Sequence, residues 1–154
     1  QTGNNHMLPA TVVLFDPRTD VAVLDGPTLQ APSMHFAGGT AAQGTPAVVL
    51  GFPQNGPFTV RAAPRRAQAT VGGTDIYGHG SVDRKIYSLR SIIRSGNSGG
   101  PLIANGGSVL GMVFATALDS SDTGYALTAG QLAQDVASGR TDTTPVATGS
   151  CTPE

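Results

Sequence analysis

The sequence predicts an all-β fold. Three observations carry that prediction. Only 12% of the 154 residues are charged, while 21 are glycine and 11 are proline, a balance that suits short strands joined by turns. The apolar runs are short, rich in Val, Ile, Leu and Phe, and bounded by Gly, Pro and Asp. Only one stretch, near the C-terminus, repeats its apolar residues at helical spacing. The length suffices for one domain with one sizeable core. A net charge of -1 and a pI near 6.3 give no electrostatic reason to expect nucleic acid or a membrane surface. Arg65-Arg66 is a basic run short enough to be a solvated strand end.

The elements follow in order. Ala10–Phe15 is β-branched and apolar, as in a buried strand, and Asp16-Pro17-Arg18-Thr19 suits a turn. Asp20-Val21-Ala22-Val23-Leu24 is a second strand opened by an acid. Residues 25–45 read as a connecting loop broken by Gly26-Pro27, Ala31-Pro32 and Gly38-Gly39. Ala47–Pro53 is a strand, and Phe58–Arg61 with Ala67–Val71 read as a strand pair. Lys85–Ser91, Ser108–Ala115 and Gly124–Thr128 complete the strands. Thr128–Ser138 reads as a helix, with Leu132, Ala133 and Val136 on one face and Gly139 at its stop. Arg140–Glu154 is a polar tail.

No stretch approaches the ~20 apolar residues of a transmembrane helix, and the N-terminus lacks the basic-then-apolar pattern of a signal peptide. The chain starts at Gln1 without an initiator Met, which reads as a processed product or a fragment. Its single cysteine, Cys151, has no basic neighbour to activate it. It suggests either a disulfide partner elsewhere or a reactive thiol, and the first suits the context better.

The chemistry concentrates in Arg94-Ser95-Gly96-Asn97-Ser98-Gly99-Gly100-Pro101-Leu102-Ile103. Glycines on both sides of Ser98 reach backbone angles that a Cβ forbids, so the loop can turn sharply and aim two amide N–H groups at one point. Such amides can hold the negative oxygen of a tetrahedral intermediate while the Ser98 hydroxyl attacks the carbonyl carbon. Read without that chemistry, the same residues are a glycine-rich hairpin turn. Asp20, likewise, is either a turn carboxylate capping local amides or an acid with a catalytic task.

Gly96-Asn97-Ser98-Gly99-Gly100-Pro101-Leu102 resembles the nucleophile loop of trypsin-like serine proteases, and especially their HtrA-type branch. Asp16-Pro17-Arg18-Thr19-Asp20-Val21-Ala22-Val23-Leu24 resembles the HtrA-type segment whose second acid orients the catalytic histidine. The interval from Asp20 to Ser98, 98 − 20 = 78 residues, suits a compact enzyme of that kind. The resemblance implies a double β-barrel, with Ser98 as nucleophile, Asp20 as histidine orienter, and the backbone N–H groups of Gly96 and Ser98 as the oxyanion hole. It implies no metal and no cofactor. Asn97 stands where the digestive enzymes carry the Asp that pairs with a new N-terminus, which argues against zymogen-type activation.

Ala47–Pro53 resembles the strand that opens the second barrel of these enzymes. Residues 1–45 then read as the remainder of a first barrel and a linker, 46–139 as a complete second barrel with its helix, and 140–154 as the tail. Ile92, six positions before the nucleophile, falls where the family places the floor of its primary pocket, with Val113, Phe114 and Ala115 as candidate walls. An isoleucine there offers no carboxylate to a buried cation, so an apolar or small residue before the scissile bond is expected rather than Lys or Arg.

The general base is the departure. The family's histidine precedes the aspartate by several strand lengths. His6 lies 20 − 6 = 14 residues before Asp20, too close and in the wrong context, while His35 and His79 follow Asp20 in loop-like surroundings. The resemblance therefore implies a fragment whose histidine segment lies elsewhere, nearly inactive alone, or else a trypsin-like module that binds peptides without cutting them. An α/β-hydrolase is disfavoured, because its histidine follows the nucleophile and none follows Ser98. Asp75-Ile76-Tyr77-Gly78, residues 123–130 and the terminal Gly149-Ser150-Cys151 are similar to membrane-anchored periplasmic proteases of actinobacteria linked to acid resistance. That likeness implies an extracytoplasmic setting, an anchored parent protein and a disulfide from Cys151 to the missing segment.

Overall fold

The structure, a computed structural model, describes residues 7–150. Nine strands and one α-helix appear in the order β1 Thr11–Asp16, β2 Val21–Asp25, β3 Ala47–Gly51, β4 Thr59–Ala62, β5 Arg65–Gly73, β6 Val82–Arg90, β7 Pro101–Ala104, β8 Val109–Thr116, β9 Thr123–Thr128 and α1 Ala129–Gly139. A tight turn, Pro53–Asn55, follows β3, with Gln54 and Asn55 at positive φ. The predominance of strand and the single closing helix agree with the expected all-β class. No helix among the described residues is long and apolar enough to cross a membrane.

The chain divides into two compact units. One comprises the residues up to Ser33, Gly72–Val82 and the chain from Leu132 onward; the other comprises Met34–Val71 and Asp83–Gln131.

The second unit is built on an antiparallel sheet with the strand order β4-β3-β7-β8-β9-β6-β5. Laid flat, the outermost of seven strands would lie about 29 Å apart at ordinary strand spacing. Yet β4 and β5 are joined by Ala63-Pro64 alone, which spans about 10 Å at most. The sheet must therefore roll. The sequence reading made Phe58–Arg61 and Ala67–Val71 a pair, and here the structure corrects it: the two strands are not neighbours in the sheet. The reason is Pro64. No turn reverses the chain there; the Ala63 and Arg65 N–H groups donate to the Ala47 and Thr45 carbonyls (2.8 and 3.1 Å), so the chain runs on in the same direction beside the approach to β3. The Pro64 carbonyl accepts from Arg90 N–H at the end of β6 (3.0 Å). The bend is thus bonded both to the approach to β3 and to the end of β6, with no β4–β5 ladder between the outermost strands.

Inside the roll lie Val49, Ala63, Tyr87, Leu89, Leu102, Leu110, Val113 and Ala126, all buried and mutually packed. Tyr87 keeps its hydroxyl satisfied by accepting from Ala41 N–H (3.0 Å), and the Arg65 guanidinium stacks 5.2 Å from its ring centroid. The long connection before β3 is pinned by a parallel bridge from Phe36 to Val109. His35 contributes only its backbone there, its carbonyl accepting from Val109 N–H (2.8 Å).

The first unit holds the β1–β2 hairpin, paired from Thr11↔Asp25 to Asp16↔Val21 with a register shift between Val12 and Leu14. Val13 and Val21 are its buried residues. Thr128 caps α1, its hydroxyl accepting from Gln131 N–H (3.1 Å), a contact worth about 1 kcal/mol in such positions. Ala129, Leu132 and Gly139 are the buried residues of the helix, with Asp135 and Val136 half-buried between the last two. Ala133, assigned to that face from the sequence, is exposed: at 3.6 residues per turn, the residue after Leu132 points about 100° away. A Cβ on Gly139 would meet the Val23 side chain, 2.8 Å from its Cβ, so glycine is needed for contact with the hairpin. The tail is tied down by Val146 N–H donating to Val12 O and by the Tyr77 hydroxyl donating to Thr148 O, both 3.0 Å. Cys151 and His6 lie outside the described residues.

Candidate active site

The serine loop hangs between β6 and β7. Its anchor is Asn97, only 3% exposed. The Asn97 Oδ1 accepts from Arg94 N–H (3.1 Å), Asn97 N–H donates to Arg94 O (2.9 Å), and Asn97 O accepts from Gly100 N–H (3.0 Å). A neutral amide in that buried place needs no cationic partner, whereas a carboxylate would. Gly51 makes the room: a Cβ there would lie 2.7 Å from the Asn97 Nδ2.

Ser98 stands exposed at the crest of the loop. On one side, β8 clamps the loop by backbone: Gly99 N–H donates to Val113 O (2.8 Å) and Val113 N–H to Gly100 O (2.9 Å). On the other side runs the Phe52–Asn55 segment, where Phe52 N–H donates to Gly96 O (3.3 Å) and Gln54 N–H to Ser95 O (2.7 Å). Gly96 has φ +89°, and the Phe52 carbonyl occupies the place its Cβ would take, so no other residue fits there in this conformation. Among the described residues, no protein group accepts a hydrogen bond from Gly96 N–H or Ser98 N–H. An exposed hydroxyl flanked by two free amides is an arrangement able to bind an oxyanion beside a nucleophile.

The residues named for the substrate pocket fall as follows. Ile92 is 39% exposed at the bend after β6, next to Ser91, whose N–H donates to Asp122 O (2.8 Å). Ile93, its neighbour, is buried against Gly124, which has no side chain to obstruct it. Phe114 and Ala115 are half-buried on β8, and a register shift between Val113 and Ala115 leaves Phe114 at an irregularity of the ladder. Val113 is fully buried in the core, so its backbone, not its side chain, meets the serine loop. Nearby, the Asp122 carboxyl is held below the ordinary carboxylate range, first by the Ser120 hydroxyl (2.7 Å) and then by the positive charges of Arg66 and Arg90.

Asp20 belongs to the first unit and Ser98 to the second. Asp20 is exposed at the entry to β2, with φ +62°, a left-handed conformation uncommon outside glycine and better tolerated by Asp and Asn. The turn before it is fixed by Asp16, whose carboxylate accepts from Arg18 N–H (2.9 Å) and from the Thr19 hydroxyl (2.6 Å). Asp16 is thus occupied by its own turn, and Asp20 is left free of it. His79 lines a hollow of about 270 Å³ with Arg18, Asp75 and Ser81, and its N–H donates to the Asp75 carboxylate (2.8 Å). Sequence reasoning missed the support given by Phe52–Asn55, which acts through backbone amides; its one trace in the sequence is Pro53-Gln54-Asn55-Gly56, a turn composition directly after a strand.

Residues 1–112 match the trypsin-like peptidase domain. The serine protease Rv3671c of Mycobacterium tuberculosis H37Rv is 46% identical over 144 residues, covering 92% of this chain but 36% of that protein, so the chain spans about a third of the relative's length. The crystal structure of the Rv3671c protease in its active form superposes with a TM-score of 0.90 at 45% identity, over 94% of this chain and 63% of the other. The HtrA-type protease AlgW, solved with a tripeptide, follows with a TM-score of 0.67 at 26% identity, over 82% of this chain and 43% of the other. This chain belongs to the trypsin-like peptidase domain family, in the company of HtrA-type serine proteases.

Proposed function

We propose that the chain is the nucleophile-bearing part of a serine endopeptidase. The observation that carries this reading is the exposed Ser98 in a loop whose Gly96 and Ser98 N–H groups have no protein acceptor among the described residues. In the reaction, the Ser98 Oγ attacks the scissile carbonyl carbon while an imidazole takes its proton. The carbonyl oxygen becomes an oxyanion accepting from Gly96 and Ser98 N–H. Collapse expels the amine, which recovers the proton from the imidazolium and leaves an acyl-enzyme on Ser98 for water to hydrolyse. Asp20 accepts from the other imidazole nitrogen, holding the tautomer that leaves the serine-facing nitrogen free.

The imidazole comes from a segment outside this chain. The greater length of the relatives supports this, as does the lack of a histidine at a fitting distance before Asp20. That segment also supplies a cysteine for Cys151, in an oxidising, extracytoplasmic setting with the parent protein anchored to a membrane. The substrate is a polypeptide with an apolar or small residue before the cleaved bond, received against Ile92, Phe114 and Ala115 with the backbone of Val113 beneath. A peptide library digested by the longer protein is expected to show cleavage after such residues. A profile dominated by Arg or Lys contradicts the pocket assignment. Specific peptide binding with no cleavage favours instead a module that binds without cutting.

A further inference from the structure

The free N–H of Gly96 is held in place by a group that is remote in sequence. In a planar trans peptide, the C=O of one residue and the N–H of the next point in opposite directions. The Ser95 carbonyl is drawn toward the Phe52–Asn55 segment by Gln54 N–H, at 2.7 Å. The Gly96 N–H of the same peptide unit must therefore face away from that segment. Were the unit to turn over, the Ser95 carbonyl would occupy the donor's place and meet an oxyanion with like partial charge.

The donor is itself held in an unusual backbone. Gln54 and Asn55 have φ +56° and +55°, consecutive left-handed residues with side chains, closed by Gly56 N–H donating to Pro53 O (2.9 Å). Non-glycine residues persist in this region only at an energetic cost, and where surrounding contacts over-determine them. The bonds from Phe52 to Gly96 O and from Gln54 to Ser95 O are such contacts. Their dependence is mutual: the turn stays left-handed because it is bonded to the serine loop, and the loop's peptide keeps its orientation because the turn presents a donor.

We propose that Gln54 is a positioning residue, and that its backbone N–H latches the Ser95–Gly96 peptide in the orientation that aims Gly96 N–H at the oxyanion. The role rests on the endopeptidase reading given above. It belongs to the backbone, so the Gln54 side chain is dispensable. In the longer protein, Gln54→Pro removes the N–H and cannot adopt a positive φ. It is expected to lower kcat about 10²–10³-fold, as loss of one oxyanion donor does elsewhere, with KM changed little. Gln54→Gly keeps the donor and adopts the left-handed turn freely, and is expected to retain kcat within about twofold. Gln54→Val, a variant that keeps the N–H while opposing the φ, is expected to lose about tenfold and serves if the proline variant does not fold.

The bond can also be observed without activity, as a scalar coupling across the hydrogen bond from the Gln54 ¹⁵N to the Ser95 carbonyl ¹³C. Its presence in the longer protein, with proline-sensitive and glycine-tolerant kcat, supports the latch. Its absence overturns the proposal, as does full kcat in Gln54→Pro or an equal loss in Gln54→Gly. Failure of the endopeptidase reading shows differently: the coupling is present, but no variant, nor the parent, hydrolyses peptides.

Discussion

Ser98→Ala is expected to lower kcat for peptide hydrolysis by the longer protein about 10⁵–10⁶-fold, with substrate affinity nearly unchanged. The size of the loss follows from what remains. Alanine is smaller than serine and suits the exposed crest, so the loop should keep Asn97 buried and bonded to Arg94, and Gly99 and Gly100 paired with Val113. Both amides still await an oxyanion. Only the attacking oxygen is gone, and water must replace it from bulk without the proximity that Ser98 provides. A residual rate about 10³-fold above the uncatalysed reaction is expected from the amides and binding alone. Initial rates on a fluorogenic peptide, with KM measured in parallel, check this. A variant retaining more than a few per cent of kcat places the nucleophile elsewhere.

Asp20→Asn is expected to lower kcat about 10⁴-fold while leaving the fold intact. Asp20 is exposed, and no protein hydrogen bond to its carboxylate is present among the described residues, so the isosteric amide disturbs little packing. Its left-handed φ of +62° is as acceptable to Asn as to Asp. The loss is chemical. An amide can donate to the imidazole where a carboxylate accepts, which selects the wrong tautomer and removes the charge that stabilises the imidazolium. Asp16→Asn is the control. Asp16 is engaged by Arg18 N–H and the Thr19 hydroxyl within its own turn, and its replacement should leave kcat within about threefold.

The strands were legible because burial selects β-branched and apolar runs between turn residues. Ala10–Phe15, Ala47–Pro53 and Ser108–Ala115 each stand out on that basis, and the strands occupy Thr11–Asp16, Ala47–Gly51 and Val109–Thr116. Pairing was less legible. Phe58–Arg61 and Ala67–Val71 are close in sequence, and proximity suggests a hairpin. Proline between them lacks an N–H, however, and the chain bends onward across the roll instead of reversing. The helix face was misread at Ala133 because small apolar residues pattern weakly.

At the site, the serine loop announced itself through its glycines, whose backbone needs are peculiar to that geometry. Its supports did not. Phe52, Gln54 and Val113 hold the loop through N–H and C=O groups that every residue type carries, so no side-chain pattern marks them. Val113 shows the limit most plainly: its apolar character fits a pocket wall and a core residue equally well, and only the coordinates show its side chain fully buried.

The proposed reaction depends on an activated hydroxyl at Ser98. Treating the longer protein with a fluorophosphonate and mapping the adduct by tandem mass spectrometry tests it most directly. The expected result is a single phosphonylated site within Arg94–Ile103, on Ser98, formed rapidly by the parent, slowly by Asp20→Asn, and not at all by Ser98→Ala. Peptide hydrolysis that proceeds with Ser98 unmodified at saturating reagent would contradict it.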